Sequence, residues 1–150
     1  IAGAASEMTR LYTAIGVAIE WRDATLPIVG SDAIRVIVLP YETGDLRRAG
    51  DTVMGAAVAT ADRTGVAYVF YRRVRSEADR YATSPIQVLA CAMAHEIGHL
   101  LMPRAGHSAT GLMRARWCRE DFSSADQGQL RFSPDQVALI RAAAARMSEG

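Results

Sequence analysis

The chain contains no lysine and no asparagine, and it has only two cysteines, three histidines and an aromatic fraction of 7%. All 17 basic side chains are therefore arginine, against 16 acidic ones, and the formal net charge is +1. A nearly neutral chain has no global attraction to nucleic acid or to an anionic membrane. We interpret the arginine-only composition, with its abundant alanine, as the coding bias of a GC-rich bacterial genome. Selection for arginine networks in a hot environment is the alternative.

Long hydrophobic runs are also absent, since none approaches the roughly 20 residues of a transmembrane helix. With 150 residues, half of them hydrophobic, the sequence predicts one domain over 1–150 with a real core. We expect a monomer without membrane or nucleic-acid partners. The chain begins at Ile1. If a signal peptide has been removed, a secreted or periplasmic location is favoured.

The two cysteines, Cys91 and Cys118, do not form a C-x-x-C motif. Cys91 lies one helical turn before a histidine, and we interpret it as a small buried hydrophobic residue. A Cys91–Cys118 disulfide and a role for Cys91 as a metal ligand are the alternatives. Two arginine clusters, at 72–75 and 114–119, are interpreted as solvated faces with local ion pairs.

Hydrophobic periodicity predicts a mixed α/β (α+β) fold. Alternating or β-branched runs predict strands at 17–21, 34–39 and 66–71, and 53–59 is a further short apolar run. Helical spacing predicts helices at 6–15, with Ser6 as a possible N-cap, and after Ser133, where Ser133 and Gln136 suit a capping box. Loops are predicted at 27–32, 42–51 and 60–65.

A helix is predicted from Ser84, which suits an N-cap with Pro85 at the first helical position and Gln87 completing a capping box. Pro103 ends the pattern after Met102. The stripe predicted to face the core comprises Ile86, Leu89, Met93, Ile97 and Leu100.

This helix carries the motif His95-Glu96-Ile97-Gly98-His99, an H-E-x-x-H sequence. Residues four apart on a helix lie one turn apart on the same face, so His95 and His99 can bind one zinc ion. Glu96 can then reach a water on that metal and act as general base in hydrolysis of an amide. A catalytic zinc site needs a third protein ligand and leaves one position for water.

His107 is the best third ligand, because Pro103 ends the helix and Gly106 lets the backbone bring His107 back. The alternatives are that His107 is a surface histidine, or that Glu120 or Asp121 is the third ligand. The acidic alternative requires a second helix at that place, which the sequence does not clearly show.

The motif, followed by Gly106-His107-Ser108 and Gly111-Leu112-Met113, resembles the metzincin metallopeptidases, and the stretch 66–117 resembles their small bacterial matrixin-like members. The resemblance implies one catalytic Zn²⁺ bound by His95, His99 and His107, Glu96 as general base and Met113 in a methionine turn beneath the metal. It also implies a twisted, mostly parallel sheet with an antiparallel edge strand near 53–59 that aligns a peptide or protein substrate. A backing helix, an active-site helix and a C-terminal helix complete that fold.

The sequence departs from the metzincin pattern in the spacing between second and third histidines, which is eight instead of six, and Arg104 stands where the family has glycine. The residues Met102-Pro103-Arg104 must be absorbed in the turn. No tyrosine follows Met113 two positions on, and the family's first strand has no counterpart. The predicted function is a zinc-dependent endopeptidase. The alternatives are a zinc-binding structural or interaction module without proteolytic activity, and a DNA-binding domain that uses the arginine clusters.

Overall fold

One helix is followed by three strands and then by four more helices in the computed structural model, which describes residues 1–25, 33–44, 47, 50, 53–60 and 65–149. Within these residues the order of elements is α1 (Ala2–Thr13), β1 (Ile34–Leu39), β2 (Gly55–Ala59), β3 (Gly65–Phe70), α2 (Tyr71–Tyr81), α3 (Pro85–Leu101), α4 (Arg119–Asp126) and α5 (Pro134–Ser148). Among them no helix combines the length and hydrophobicity needed to cross a bilayer.

The described strands form one mixed sheet of order β1-β3-β2. The β1 strand pairs in parallel with β3, with Ile34 opposite Gly65, and β2 pairs antiparallel with β3, with Gly55 opposite Val69. The predicted antiparallel edge strand is therefore present. The prediction of a mostly parallel sheet is wrong for the described residues, since one of the two pairings is antiparallel.

Helix α3 is the centre of the molecule, because it contacts β2, β3 and each of the other four described helices. Its residues from Val88 to Gly98 are all buried. One side packs on the sheet and another on α1, whose Tyr12 is fully buried and donates a hydrogen bond of 3.0 Å to the carbonyl of Ala94. A helix surrounded in this way holds its backbone rigidly, which fixes the side chains that it presents.

The N-terminal predictions require two corrections. Helix α1 begins at Ala2 with Ile1 at the N-cap position, so Ser6 lies inside the helix and does not cap it. The segment 17–21 forms no strand, although Val17 is buried. The alternation of side chains is present there, but no described strand pairs with this segment, and a strand needs a partner for its backbone groups. The strand at 34–39 is confirmed.

Two helices were not predicted. Helix α2 begins at Tyr71, the last residue of the predicted strand, and contains the first arginine cluster. Arg73 is buried and forms an ion pair with Glu42, so its interpretation as a solvated residue is wrong. Helix α4 follows Cys118, whose backbone N–H donates to the Asp121 carboxylate at 2.8 Å.

The predicted helix bounds near the motif are confirmed within one residue, but two details are wrong. Ser84 occupies the N-cap position without a side-chain cap hydrogen bond, and its backbone N–H donates to the Asp126 carboxylate at 2.8 Å. Ile86 is 50% exposed instead of facing the core. At α5 the predicted capping box between Ser133 and Gln136 is present.

Of the predicted loops, 27–32 lies outside the described residues, as do 45, 46, 48, 49 and 51 of the second and 61–64 of the third.

Candidate metal centre

Helix α3 presents His95 and His99 on one face and Glu96 beside them. His95 is 9% exposed and Glu96 is 7% exposed, whereas His99 is half-buried. Since the spacing of four residues equals about one helical turn, the two imidazoles lie above one another, as predicted. Their ring centroids are 4.7 Å apart and their planes are nearly perpendicular, at 79°.

A tight return of the chain brings His107 back to these two histidines. The helix ends at Leu101, a turn follows in which the N–H of Ala105 donates to the carbonyl of Met102 at 3.0 Å, and Gly106 takes a positive φ of 61°. This is the backbone freedom predicted for Gly106. The eight-residue spacing is thus accommodated in a compact turn, and the His107 ring lies 4.7 Å from that of His99.

The three histidines converge on one point. The Nε2 atom of His99 lies 3.0 Å from Nε2 of His95 and 3.1 Å from Nε2 of His107. All three donor nitrogens lie within 4.8 Å of one another, and no other histidine, cysteine or carboxylate of the described chain joins the group. Two ligands of a tetrahedral zinc ion at bond lengths near 2.0–2.1 Å are about 3.3 Å apart, close to these separations.

A hydrogen bond on the side of the ring away from the other histidines fixes the orientation of His95. Its Nδ1 lies 2.8 Å from the carbonyl oxygen of Leu112, and because a carbonyl only accepts, Nδ1 carries the proton. The neutral ring then has its lone pair on Nε2, the atom that faces the other histidines. The indole N–H of Trp117 donates to the same carbonyl at 3.2 Å and so restrains it.

The surroundings favour the neutral form of two of the imidazoles, those of His95 and His99. Burial lowers the pKa of His95 to about 4, with the nearby His99 and His107 adding to the effect and the Leu112 carbonyl opposing it. Burial and the proximity of His107 lower the pKa of His99 as well. A neutral imidazole is the form that binds a metal ion, so these two ligands need not lose a proton near neutral pH.

Glu96 differs from an ordinary surface carboxylate. Burial raises its pKa to about 8, and no described residue donates a hydrogen bond to its oxygens. A positive ion held by the neighbouring imidazoles would stabilise the charged form and lower that pKa again. A bound cation would therefore favour ionisation of this carboxylate near neutral pH.

The predicted methionine turn is a real turn beneath the helix. Gly111 takes a positive φ of 77°, and the N–H of Leu112 donates to the carbonyl of Arg131 at 2.8 Å. Met113 is fully buried and packs against Gly98 of the motif. The positive φ of Gly111 and the burial of Met113 thus place this turn directly under the motif helix.

A cleft of about 480 Å³ opens over the histidines. Its walls are β2 with the preceding Val53 and Met54, the motif face of α3, and a segment with Arg114, Ala115 and Trp117. Most lining side chains other than the histidines are small or apolar, and the charged ones are Glu96 and Arg114. The site is therefore open to a ligand on one side and closed by the helix on the other.

The alternative ligands do not join the histidines. Glu120 accepts a hydrogen bond of 2.9 Å from the thiol of Cys118, and Asp121 pairs with Arg114 at 3.1 Å. The required second helix exists as α4, but its first turn directs these carboxylates to other partners. Cys91 is buried outside the metal-ligand group, and both cysteines are free, so neither the disulfide nor the metal role is formed.

Two residues of the site were missed by sequence reasoning. Gly55 lies against Glu96, and Trp117 shares the carbonyl that orients His95. A glycine within a run of small apolar residues gives a weak signal of close backbone approach. Nothing in the sequence pairs Trp117 with His95, because that contact depends on how the turn closes.

The donor set fits a metal ion, since three imidazole nitrogens converge with a fourth side open to the cleft. Imidazole groups suit zinc, copper, iron and nickel alike, so the geometry itself does not select one metal. No protein-family model, curated protein or solved structure matches this chain.

Proposed function

We propose that this protein is a zinc-dependent endopeptidase. The observation that carries the proposal is the convergence of His95, His99 and His107 beside the buried carboxylate of Glu96 in one open cleft. A structural zinc site is closed by four protein ligands and needs no base, whereas a catalytic site has three and an open position. The resemblance of the H-E-x-x-H motif and the methionine turn to metzincins supports zinc as the metal and a peptide as the substrate.

The Nε2 atoms of the three histidines would hold the ion, with His95 oriented by the carbonyl of Leu112. When bound, zinc lowers the pKa of a coordinated water to about 7 and polarises the substrate carbonyl. Glu96 would accept a proton from the attacking water on its carboxylate and deliver it to the leaving amine nitrogen. Burial of Glu96 limits competing solvent around that proton transfer.

Strand β2 supplies a surface for an extended substrate. It is paired with β3 on one side, and no described strand pairs with its other edge, which borders the cleft. An extended peptide can add to such an edge through backbone hydrogen bonds, which bind it largely independently of its sequence. A peptide held there would have a carbonyl near the histidines and Glu96.

The test is digestion of a peptide library by the purified protein with one equivalent of zinc. We expect cleavage that is lost with a chelator and restored by zinc. Glu96→Ala should keep zinc and the fold but lose cleavage, while the control Glu120→Ala should cleave normally. An inert wild-type protein that binds zinc would favour the non-cleaving alternative, and an active Glu96→Ala variant would contradict the role of Glu96.

A further inference from the structure

A residue without a side chain, Gly55, lies against the Glu96 carboxylate in the lining of the cleft. A Cβ atom added at Gly55, the first residue of β2, would lie 2.6 Å from both Cγ and Oε1 of Glu96. Non-bonded carbon atoms normally stay about 3.5–4.0 Å apart. The carboxylate therefore occupies space that any other amino acid at position 55 would fill.

Space, and not backbone conformation, requires glycine here. The glycines of the described chain with positive φ are Gly16, Gly44, Gly106, Gly111 and Gly128, so Gly55 has a backbone that other residues can adopt. The same added Cβ would also lie 2.6 Å from the carbonyl oxygen of Tyr68 on β3. An alanine at position 55 would thus meet the strand on one side and Glu96 on the other.

Packing is what orients Glu96, because no described residue donates a hydrogen bond to its carboxylate. A long side chain without such a bond takes its position from the shape of the residues packed around it. We propose that Gly55 is a positioning residue. Because it has no side chain, it leaves the space in which the Glu96 carboxylate is held at the cleft. This role rests on the proposed function, in which Glu96 transfers a proton, and misplacement of a catalytic group by about 1 Å costs on the order of 100-fold in rate.

The contact itself is tested by thermal unfolding of Gly55→Ala, Glu96→Ala and the double variant, all as the full chain. Removing Cγ and Oε1 relieves one clash, whereas the Tyr68 contact stays in both backgrounds. We expect Gly55→Ala to lower Tm by at least about 2 °C less in the Glu96→Ala background than in the wild-type background. Equal losses in both backgrounds would overturn the proposal.

Gly65→Ala is the matched control, since an added Cβ there would lie 2.8 Å from the Leu100 side chain. It crowds the same sheet against the same helix through another residue, so its Tm loss should be equal in both backgrounds. If Gly55→Ala fails to fold in the wild-type background but folds when combined with Glu96→Ala, the contact is supported. Failure to fold in both would assign the glycine to the strand alone and overturn the proposal.

Kinetic measurements distinguish a role of Gly55 in positioning Glu96 from a role in stabilising the fold alone. Gly55→Ala should lower kcat by at least about tenfold while zinc affinity, measured by chelator competition, changes less than about threefold. Gly65→Ala should keep kcat. A parallel loss of zinc affinity, or an unchanged kcat, would overturn the positioning role. A wild-type protein without hydrolysis would refute the proposed function, while the unfolding cycle would still decide whether Gly55 and Glu96 share this contact.

Discussion

Gly98 and Met113 are in direct contact, and a Cβ atom added at Gly98 would lie 2.7 Å from the sulfur of Met113. Gly98 lies between Ile97 and His99 of the motif, so this contact packs the motif helix against the turn that carries Leu112. Because the Leu112 carbonyl orients His95, the same turn both supports the helix and directs a candidate ligand. The motif helix and the turn behave as one unit.

Gly98→Ala should therefore destabilise the fold. In an open helix interior, alanine is more stable than glycine by about 1 kcal/mol. Here the added methyl group overpacks a fully buried methionine, which costs about 1–3 kcal/mol and reverses the sign. The free energy of unfolding from urea titration measures the difference.

Gly3→Ala is the control, because an added Cβ there would lie at an ordinary distance of 3.4 Å from Ile86. It should be neutral or slightly stabilising. Met113→Leu, which nearly conserves volume, should cost less than about 1.5 kcal/mol. A Gly98→Ala variant as stable as the wild type would contradict the packing of Met113 under the motif.

Trp117 should report metal binding through its fluorescence. Its ring lies 6.1 Å from that of His95, and its N–H donates to the carbonyl that orients this histidine. The other tryptophan, Trp21, is exposed and donates to Thr9 at 2.8 Å, away from the cleft. In Trp21→Phe, where only Trp117 emits, added zinc should change the emission.

The complementary variant Trp117→Phe leaves Trp21 as the only emitter, and its fluorescence should not respond to zinc. A response from Trp21 alone would place the metal elsewhere.

Much of this site could be predicted from the sequence because its information is local. The spacing of His95 and His99, the proline that ends the helix and the glycines at 106 and 111 each act within a few residues. Helix α2 was missed because local information is misleading there. Its core face includes Arg73 and Glu77, whose charged side chains are typical of exposed positions. Burial of these residues depends on partners far along the chain, such as Glu42 for Arg73.

Long-range contacts could not be predicted. The strand expected at 17–21 has the right alternation but no described partner, and pairing is a property of two segments. Gly55 meets Glu96 only because β2 lies at the edge of the sheet beside α3. The local sequence pattern thus indicates which residues could carry out chemistry, whereas the residues that position them are brought there by tertiary packing.

Glu42 should govern part of the acid stability. Its burial opposes ionisation, but hydrogen bonds from its own backbone and from Arg72 and Arg73 outweigh it and lower its pKa to about 2. A carboxyl with a lowered pKa stabilises the fold fully above its ordinary value of 4.5, and this contribution is lost as pH falls through about 2. Arg73 also donates to the carbonyls of Gly50 and Val53, which lead into β2.

Glu42→Gln leaves the buried Arg73 without a charged partner and should cost about 3 kcal/mol near neutral pH. The difference in the free energy of unfolding between wild type and variant should shrink as pH falls from 4.5 toward 2. Urea unfolding at several pH values measures this difference, and a difference that stays constant across that range would contradict the assigned ion pair.

The two thiols should react very differently. Burial raises the pKa of Cys91 to about 12, whereas Cys118 is partly exposed beside Arg114 and Glu120. A thiol reagent should modify one cysteine in the folded protein, Cys118, and both after unfolding, as mass spectrometry would show. A reductant should leave Tm unchanged, and a Tm that falls on reduction would indicate a disulfide.

Zinc stoichiometry and affinity of the wild type and His107→Ala test the central claim most directly, because His107 is the ligand with an unusual spacing. After equilibration with zinc and dialysis, elemental analysis should find one zinc per wild-type chain. Chelator competition should show at least about tenfold weaker binding for His107→Ala, with Glu120→Ala unchanged. Absence of zinc from the wild type, or loss of binding in Glu120→Ala while His107→Ala retains it, would contradict the three-histidine centre.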